Sequence, residues 1–202
     1  MQEENNMGAA FKSLPVMLAP ANTTLTHPSQ SLPENVTKDS PAIDAMTDLS
    51  RMAAAVVEPE LLFEKAEERM RNAGVRLLFV LGHTGEVLGL ITLNDLKGMR
   101  AIRYQQKTGS TRSEVLVRDI MTPREKLEAL TMADVVQARV GDIIETLKRT
   151  GRQHALVIER SPGRPAIRGI FSARQIGRQL GVPIDTSGIA WTFAELEAAL
   201  GH

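Results

Sequence analysis

Two four-residue stretches and one run of arginines are the residues in this 202-residue chain whose types and spacing could do chemistry. Thr92-Leu93-Asn94-Asp95 follows the apolar Gly89-Leu90-Ile91, and Ser172-Ala173-Arg174-Gln175 follows Gly169-Ile170-Phe171. In each stretch the hydroxyl can cap the first turn of a helix, with Asp95 or Gln175 three residues on to return the bond. Between Arg149 and Arg178 stand seven arginines (149, 152, 160, 164, 168, 174 and 178), with Glu159 as the only acid. A guanidinium stays charged and grips phosphate oxygens in pairs, so phosphate recognition is one reading of that run. A solvated surface is another, as is a complement to the acidic helix bearing Glu58, Glu60, Glu64, Glu67 and Glu68.

Other chemistries find no residues to carry them. The chain has no cysteine, which excludes a disulfide framework, a thiol nucleophile and thiolate-ligated metal. His27, His83, His154 and His202 lack ligand-type spacing, and no nucleophile elbow, phosphate-binding Gly-rich loop or zinc-protease pattern occurs. We therefore assign no catalytic residue and no metal ligand, and expect a protein that is not an enzyme. Aromatics are 3% of residues, too few for base stacking. No run approaches the ~20 apolar residues of a membrane span, and Glu3 and Glu4 stand where a signal peptide needs basic residues. The expectation is a soluble, cytoplasmic chain. Its formal net charge of zero hides polarity: residues 97–178 carry 17 basic and 8 acidic side chains, and the remainder 7 and 16.

The elements that position these residues occur twice. Ala45-Met46-Thr47 reappears as Ile120-Met121-Thr122, at an offset of 75. Gly74 and the run Leu77–Leu81 reappear as Gly151 and Ala155–Ile158, and Gly89-Leu90-Ile91-Thr92 as Gly169-Ile170-Phe171-Ser172. Leu62, Ala66, Met70 and Ala73 lie at helical spacing before Gly74, as Ile143, Ile144 and Leu147 do before Gly151. Two strands joined by a turn follow, and then a second helix from Thr92 or Ser172. Each copy thus reads α-β-β-α, too small to be very stable alone, and two copies packed sheet to sheet would share a core. The fold class is α+β. Residues 1–39 read as a flexible Pro/Asn/Thr-rich arm, pinned in part by Phe11, Leu14, Val16 and Leu18; 40–100 as unit 1; 101–114 as a linker; 115–182 as unit 2. The tail 183–202 carries a short helix signalled by the capping box Thr192-Phe193-Ala194-Glu195.

These residues resemble tandem cystathionine-β-synthase-type (CBS) domains, the Bateman module. The resemblance rests on Val117-Arg118-Asp119-Ile120-Met121-Thr122-Pro123 leading into the second copy, Gly89-Leu90-Ile91-Thr92-Leu93-Asn94-Asp95 closing the first, and the α-β-β-α order between them. It implies two CBS units related by a pseudo-twofold axis and an adenosine ligand in the cleft between them: AMP, ADP or ATP, with S-adenosylmethionine or NAD possible. Thr92 then lies near phosphate, with Gly89 in the same motif, and Asp95 accepts hydrogen bonds from the ribose diol. A carboxylate suits that diol, having acceptor oxygens only. Ser172 holds the matching place in unit 2, but Gln175 replaces the carboxylate. Arg76 and Arg152, ahead of their strands, and Arg174 are candidate phosphate contacts.

The resemblance implies a stand-alone regulatory sensor that needs no cofactor, reorients its units on nucleotide binding and signals to an unidentified protein partner as a homodimer. The alternative is a ligand-independent dimeric scaffold; nucleic-acid binding through the basic half is a weaker third. Opposite net charges on the two copies would draw them together across their shared face.

Overall fold

The computed structural model describes residues 15–18, 20, 30–160 and 165–186. The tip Ser161–Arg164 of the second hairpin and the helix expected at Thr192–Leu200 lie outside the described residues, as does most of the N-terminal arm. In chain order the elements begin with a 3-10 turn, Ala42–Ala45, then β1 (Thr47–Asp48), β2 (Val56–Val57), α1 (Phe63–Asn72), β3 (Leu77–Leu81), β4 (Val87–Thr92), α2 (Leu93–Lys97) and α3 (Met99–Thr108). They continue with α4 (Val117–Ile120), β5 (Thr122–Pro123), β6 (Ala129–Thr131), α5 (Met132–Gln137), α6 (Val140–Thr150), β7 (His154–Arg160), β8 (Pro165–Ser172) and α7 (Ala173–Leu180). Residues 101–114, read from sequence as linker, contain most of α3, which ends at Gly109 with φ +72°.

Two four-stranded sheets result, ordered β2-β3-β4-β5 and β1-β8-β7-β6. Alternation along the strands decides what each sheet faces. Leu78, Val80 and Ile91 point to the helices with Phe63, Ala66, Met70 and Leu96. Leu77, Phe79 and Leu90 point the other way and meet Leu156, Ile167 and Ile170 of the second sheet. Leaving both faces of β3 and β4 uncovered would expose a large apolar area, at ~25 cal/mol per Å². Gly74 and Gly151 follow α1 and α6 with φ of +66° and +62°, left-handed stops for two helices at equivalent places.

The sheets do not follow the sequence boundaries of the two copies. β1, from the first copy, pairs antiparallel with β8 of the second, with Thr47 opposite Ile170 and Asp48 opposite Gly169. β5, from the second copy, pairs antiparallel with β4 of the first, with Leu90 opposite Thr122 and Gly89 opposite Pro123. Each leading segment thus completes the other copy's sheet. Two glycines allow it: a Cβ at Gly89 would press into the Thr122 carbonyl, and one at Gly169 into the Met46 side chain. The segment ahead of β1 also belongs to the second unit. Val36, Ala42, Ala45 and Met46 are buried with Ile143, Leu147, Phe171 and Ile176. Val16 and Leu18 stand fully exposed, so the pins lie further on. Gln30 donates to the Met46 carbonyl (2.9 Å) and accepts from Asp48 N (2.8 Å). Buried Gln179 on α7 donates to the carbonyls of Pro33 (2.8 Å) and Asp44 (3.0 Å).

One ion pair locks the exchanged strand. Asp48, buried in β1, takes Arg168 of β8 in a two-pronged grip, Nε to Oδ1 at 2.8 Å and Nη2 to Oδ2 at 2.9 Å. Ser50 adds its amide (2.9 Å) and hydroxyl (2.7 Å) to Oδ1, and Arg168 reaches Glu159 at 2.9 Å. The Arg168 bond, with the Ser50 bonds, holds the Asp48 carboxyl well below the usual carboxylate range. The other ion pairs are more exposed, and three bring basic residues to α1 and the turn before it: Arg112 of the linker to Glu64 (2.9 Å), Arg118 of α4 to Glu60 (3.6 Å) and Lys97 of α2 to Glu67 (3.3 Å). Opposite charges thus meet around α1 and along the exchanged β1, while the layer between the two sheets is apolar.

We expect Gly169→Val to cost about 1–3 kcal/mol by overpacking against Met46, read as a lower urea midpoint at unchanged slope. We expect Asp48→Asn to cost about 2 kcal/mol or more, because Arg168 is left without its main partner. The wild-type contribution of Asp48 is present above pH ~4, the ordinary carboxylate value, and is lost as pH falls below it. Asp48→Asn should therefore narrow its deficit in acid, which urea titrations at pH 7 and pH 3 would measure.

Candidate functional site: two cavities at the seam between the sheets

The strand registers set matching residues side by side. Leu77 faces Thr92 in one hairpin and His154 faces Ser172 in the other. Leu93 N donates to the Arg76 carbonyl (3.0 Å), as Ala173 N does to that of Gln153 (2.9 Å). Arg76 and Gln153, Leu77 and His154, Thr92 and Ser172, Asn94 and Arg174, and Asp95 and Gln175 are thus the same positions in the two units. Each strand end opens onto a cavity of about 620 Å³.

The first, the Asp95 cavity, gathers Thr92, Asp95, Arg76 and Arg152 from the sequence reading. Leu77, Leu90, Leu127 and Leu156 supply an apolar slot, and Arg100, Lys126 and Glu128 join the polar wall. Thr92 caps α2 as its spacing required: Asp95 Oδ2 accepts from Thr92 N (2.9 Å) and Thr92 Oγ1 (2.7 Å). The other carboxylate oxygen, Oδ1, forms an ion pair with Arg100 Nη1 at 3.0 Å. The same Arg100 nitrogen also donates to Thr122 Oγ1 (2.9 Å) and the Ile120 carbonyl (3.2 Å). Asp95 is therefore a capping residue with a second, cationic partner, and Arg100 ties it to the chain that crosses between the units. Arg152 pairs with Glu128 at 3.0 Å.

The second, the Arg174 cavity, gathers Ser172, Arg174 and again Arg76, with Arg178, Gln153 and His154. Its far wall is Val182, Pro183 and Ile184, the strap that leaves α7. Val182 N donates to the Gly177 carbonyl (3.1 Å), and Gln153 Nε2 donates to the hydroxyl of buried Thr186. Ser172 caps α7 through the Gln175 amide (3.5 Å), while the Gln175 side chain accepts from Arg178 instead of returning to the cap. Gly89 lines neither cavity; its backbone lies in the β4–β5 pairing, where the missing Cβ is what matters.

Arg100 escaped the sequence reading, Arg178 entered it only within the arginine run, and His154 only as a histidine without ligand-type spacing. Arg100 and Arg178 reach the cavities through helical turns beyond the motifs. His154 had one signal, its alignment with Leu77. Partial burial at the strand start, with the positive charge of Arg76 beside it, pushes the His154 imidazole from 6.5 down to about 4. A group held neutral in this way stabilises the fold above its unfolded pKa, and the contribution drains away as pH falls from 6.5 towards 4. We expect His154→Leu, which copies the other unit, to flatten the decline in melting temperature between pH 6.5 and pH 4.5 seen in the wild type.

Residues 46–100 match the CBS domain family. No curated protein matches the chain in sequence. Among solved structures, CBSX2 of Arabidopsis thaliana in complex with AMP superposes with a TM-score of 0.50 at 22% identity, covering 69% of this chain and 94% of that one. An uncharacterized conserved protein from Pyrococcus horikoshii gives 0.50 at 23% identity, covering 70% and 92%. A CBS-domain containing protein from Agrobacterium tumefaciens gives 0.51 at 18%, covering 71% and 97%. At such identities the likeness speaks for the fold, which is that of a CBS pair. The family match itself covers residues 46–100, and the described chain has the fold of a CBS pair. Among its described residues, no helix is long and apolar enough to cross a membrane.

Proposed function

We propose that the chain is a regulatory module that binds an adenine nucleotide in the Asp95 cavity and acts by changing shape, not by catalysis. The observation that carries this is the composition of that cavity. A leucine slot between two sheets ends in a hydroxyl and a carboxylate on one side and in Arg76, Lys126 and Arg152 on the other. In this reading the base enters between Leu77, Leu90, Leu127 and Leu156, Asp95 Oδ1 accepts from the ribose diol, and the basic side chains meet phosphate. The AMP complex of CBSX2, a protein of the same fold, supports the choice of ligand.

Arg100 supplies the coupling. A diol on Asp95 competes with Arg100 for the same oxygen, and Arg100 also holds Ile120 and Thr122, where the chain crosses to close the first sheet. A nucleotide that favours one Arg100 arrangement shifts the balance between unit orientations by its difference in affinity for them. A homodimer relaying this to a protein partner is the working assembly. The competing reading, a ligand-independent dimeric scaffold, draws on the same residue: Asp95 already has partners on both oxygens without any ligand.

Thermal denaturation with AMP, ADP, ATP, S-adenosylmethionine and NAD separates the two. At a ligand concentration a hundred times Kd, a genuine ligand adds about 2.7 kcal/mol to stability. We expect a rise with at least one adenine nucleotide, and Asp95→Asn to weaken that binding about tenfold or more, since a charge-assisted bond contributes ~1.5–3 kcal/mol. No rise with any of the five compounds would leave the scaffold reading standing.

A further inference from the structure

Residues 187–202 set out from the rim of the Arg174 cavity, and their charge is opposite to that of its walls. After α7 stops at Gly181, with φ +71°, Val182, Pro183 and Ile184 form the far wall of that cavity. Buried Thr186 is then fixed by the side-chain amide of Gln153, a residue that lines both cavities. The sequence that follows contains Glu195 and Glu197 and no Lys or Arg, together with Trp191, Phe193, Leu196 and Leu200. The cavity is the converse. Arg76, Arg174 and Arg178 line it, with no carboxylate among the described lining residues. Among the described residues, none of the three forms an ion pair. Arg178 has only the neutral amide oxygen of Gln175, and Val182 at the rim is 55% exposed. In the Asp95 cavity, by contrast, Arg100 pairs with Asp95 and Arg152 with Glu128, each at 3.0 Å.

We propose that residues 187–202 dock back over the Arg174 cavity of their own chain, with Glu195 and Glu197 meeting Arg174 and Arg178 and the apolar side chains covering Val182. Reach is no obstacle. Nine residues lead from Thr186 to Glu195, which is ~30 Å of extended chain or ~13 Å of helix. A tether this short holds the two acids at an effective concentration of about millimolar, so ion pairs too weak to join separate molecules suffice within one. Carboxylates bind guanidiniums in a two-pronged grip and gain most where the guanidinium lacks another anion. Arg100 and Arg152 in the neighbouring cavity already hold theirs, whereas Arg174 and Arg178 do not. The segment is thus the cavity's own anionic occupant, in place without any ligand. Its docking does not depend on a nucleotide in the Asp95 cavity.

Trp191 is the one tryptophan of the chain and lies within the segment, so its fluorescence in the full-length protein reads the contact directly. Acrylamide serves as quencher because, being neutral, it does not compete for the arginines. We expect acrylamide to quench the wild type about twofold or more less efficiently than either Arg174→Glu/Arg178→Glu or Glu195→Arg/Glu197→Arg, and about 1 M NaCl to bring the wild type to the level of the variants. Combining all four substitutions exchanges the charges and should return quenching to the wild-type level. Loosening of α7 by the arginine substitutions alone would not be repaired in that way. If Arg174→Glu/Arg178→Glu does not melt cooperatively, Glu195→Arg/Glu197→Arg and the salt dependence of the wild type decide the matter. Equal quenching of the wild type and Glu195→Arg/Glu197→Arg, or no recovery in a cooperatively folded fourfold variant, would overturn the proposal. So would wild-type quenching that changes with protein concentration, which would make the segment of a second copy the occupant.

Discussion

Everything at the seam of this molecule depends on two strands that cross over. β5 lies against β4 where Gly89 leaves room for the Thr122 carbonyl, and β1 lies against β8 where Gly169 leaves room for Met46. Neither hairpin could keep its outer face and its edge covered without the other copy's leading segment. The exchange makes the two units a single cooperative body, with the leucine and isoleucine layer between the sheets as its shared core. It also places the ends of β4 and β8, each followed at once by a helix, beside the chain of the opposite unit. The cavities are a geometric consequence of that arrangement. A ligand there touches both units, and Arg100, held by Asp95 and by the crossing chain, is the side chain through which it can act on their relative position.

Charge is distributed to a different purpose than attraction between units. Arg112 of the linker and Arg118 of α4 close onto Glu64 of α1 and Glu60 just before it, and such half-exposed pairs contribute little each. The pair of buried Asp48 and half-buried Arg168 differs in kind: it ties the exchanged β1 to β8 in register. Among the described residues, Arg76, Arg174 and Arg178 around the Arg174 cavity form no ion pair. The neutral His154 belongs to the same electrostatic setting, since Arg76 lies beside it and burial disfavours its charge.

Much of this was legible in the residues themselves. The repeated Gly-apolar-apolar-hydroxyl stretches, the glycines after α1 and α6, and the hydroxyl caps at Thr92 and Ser172 all announced local structure, and it followed, except that the Gln175 side chain turns to Arg178 and not back to the cap. The exchange of β1 and β5 was not legible, because two-residue strands carry no periodicity and their partners are some 120 and 30 positions away in the chain. Gly89 looked like part of a binding motif, yet the space it opens is filled by backbone. Arg100 could not be read as a partner of Asp95 without knowing that α3 begins immediately after α2. The charge asymmetry was visible as a number, but only contacts show Arg112, Arg118 and Lys97 meeting the acidic residues of α1 and the turn before it.

The central claim is that a nucleotide sits between the units at the Asp95 cavity, and amide chemical-shift mapping by NMR during AMP titration tests it most directly. The account predicts perturbations at the Thr92–Asp95 turn, at Arg100 and Thr122, at 126–128 and at 151–154, all saturating with one affinity. An absence of perturbation at saturating AMP, or a set of shifts confined to a surface away from both cavities, would contradict it.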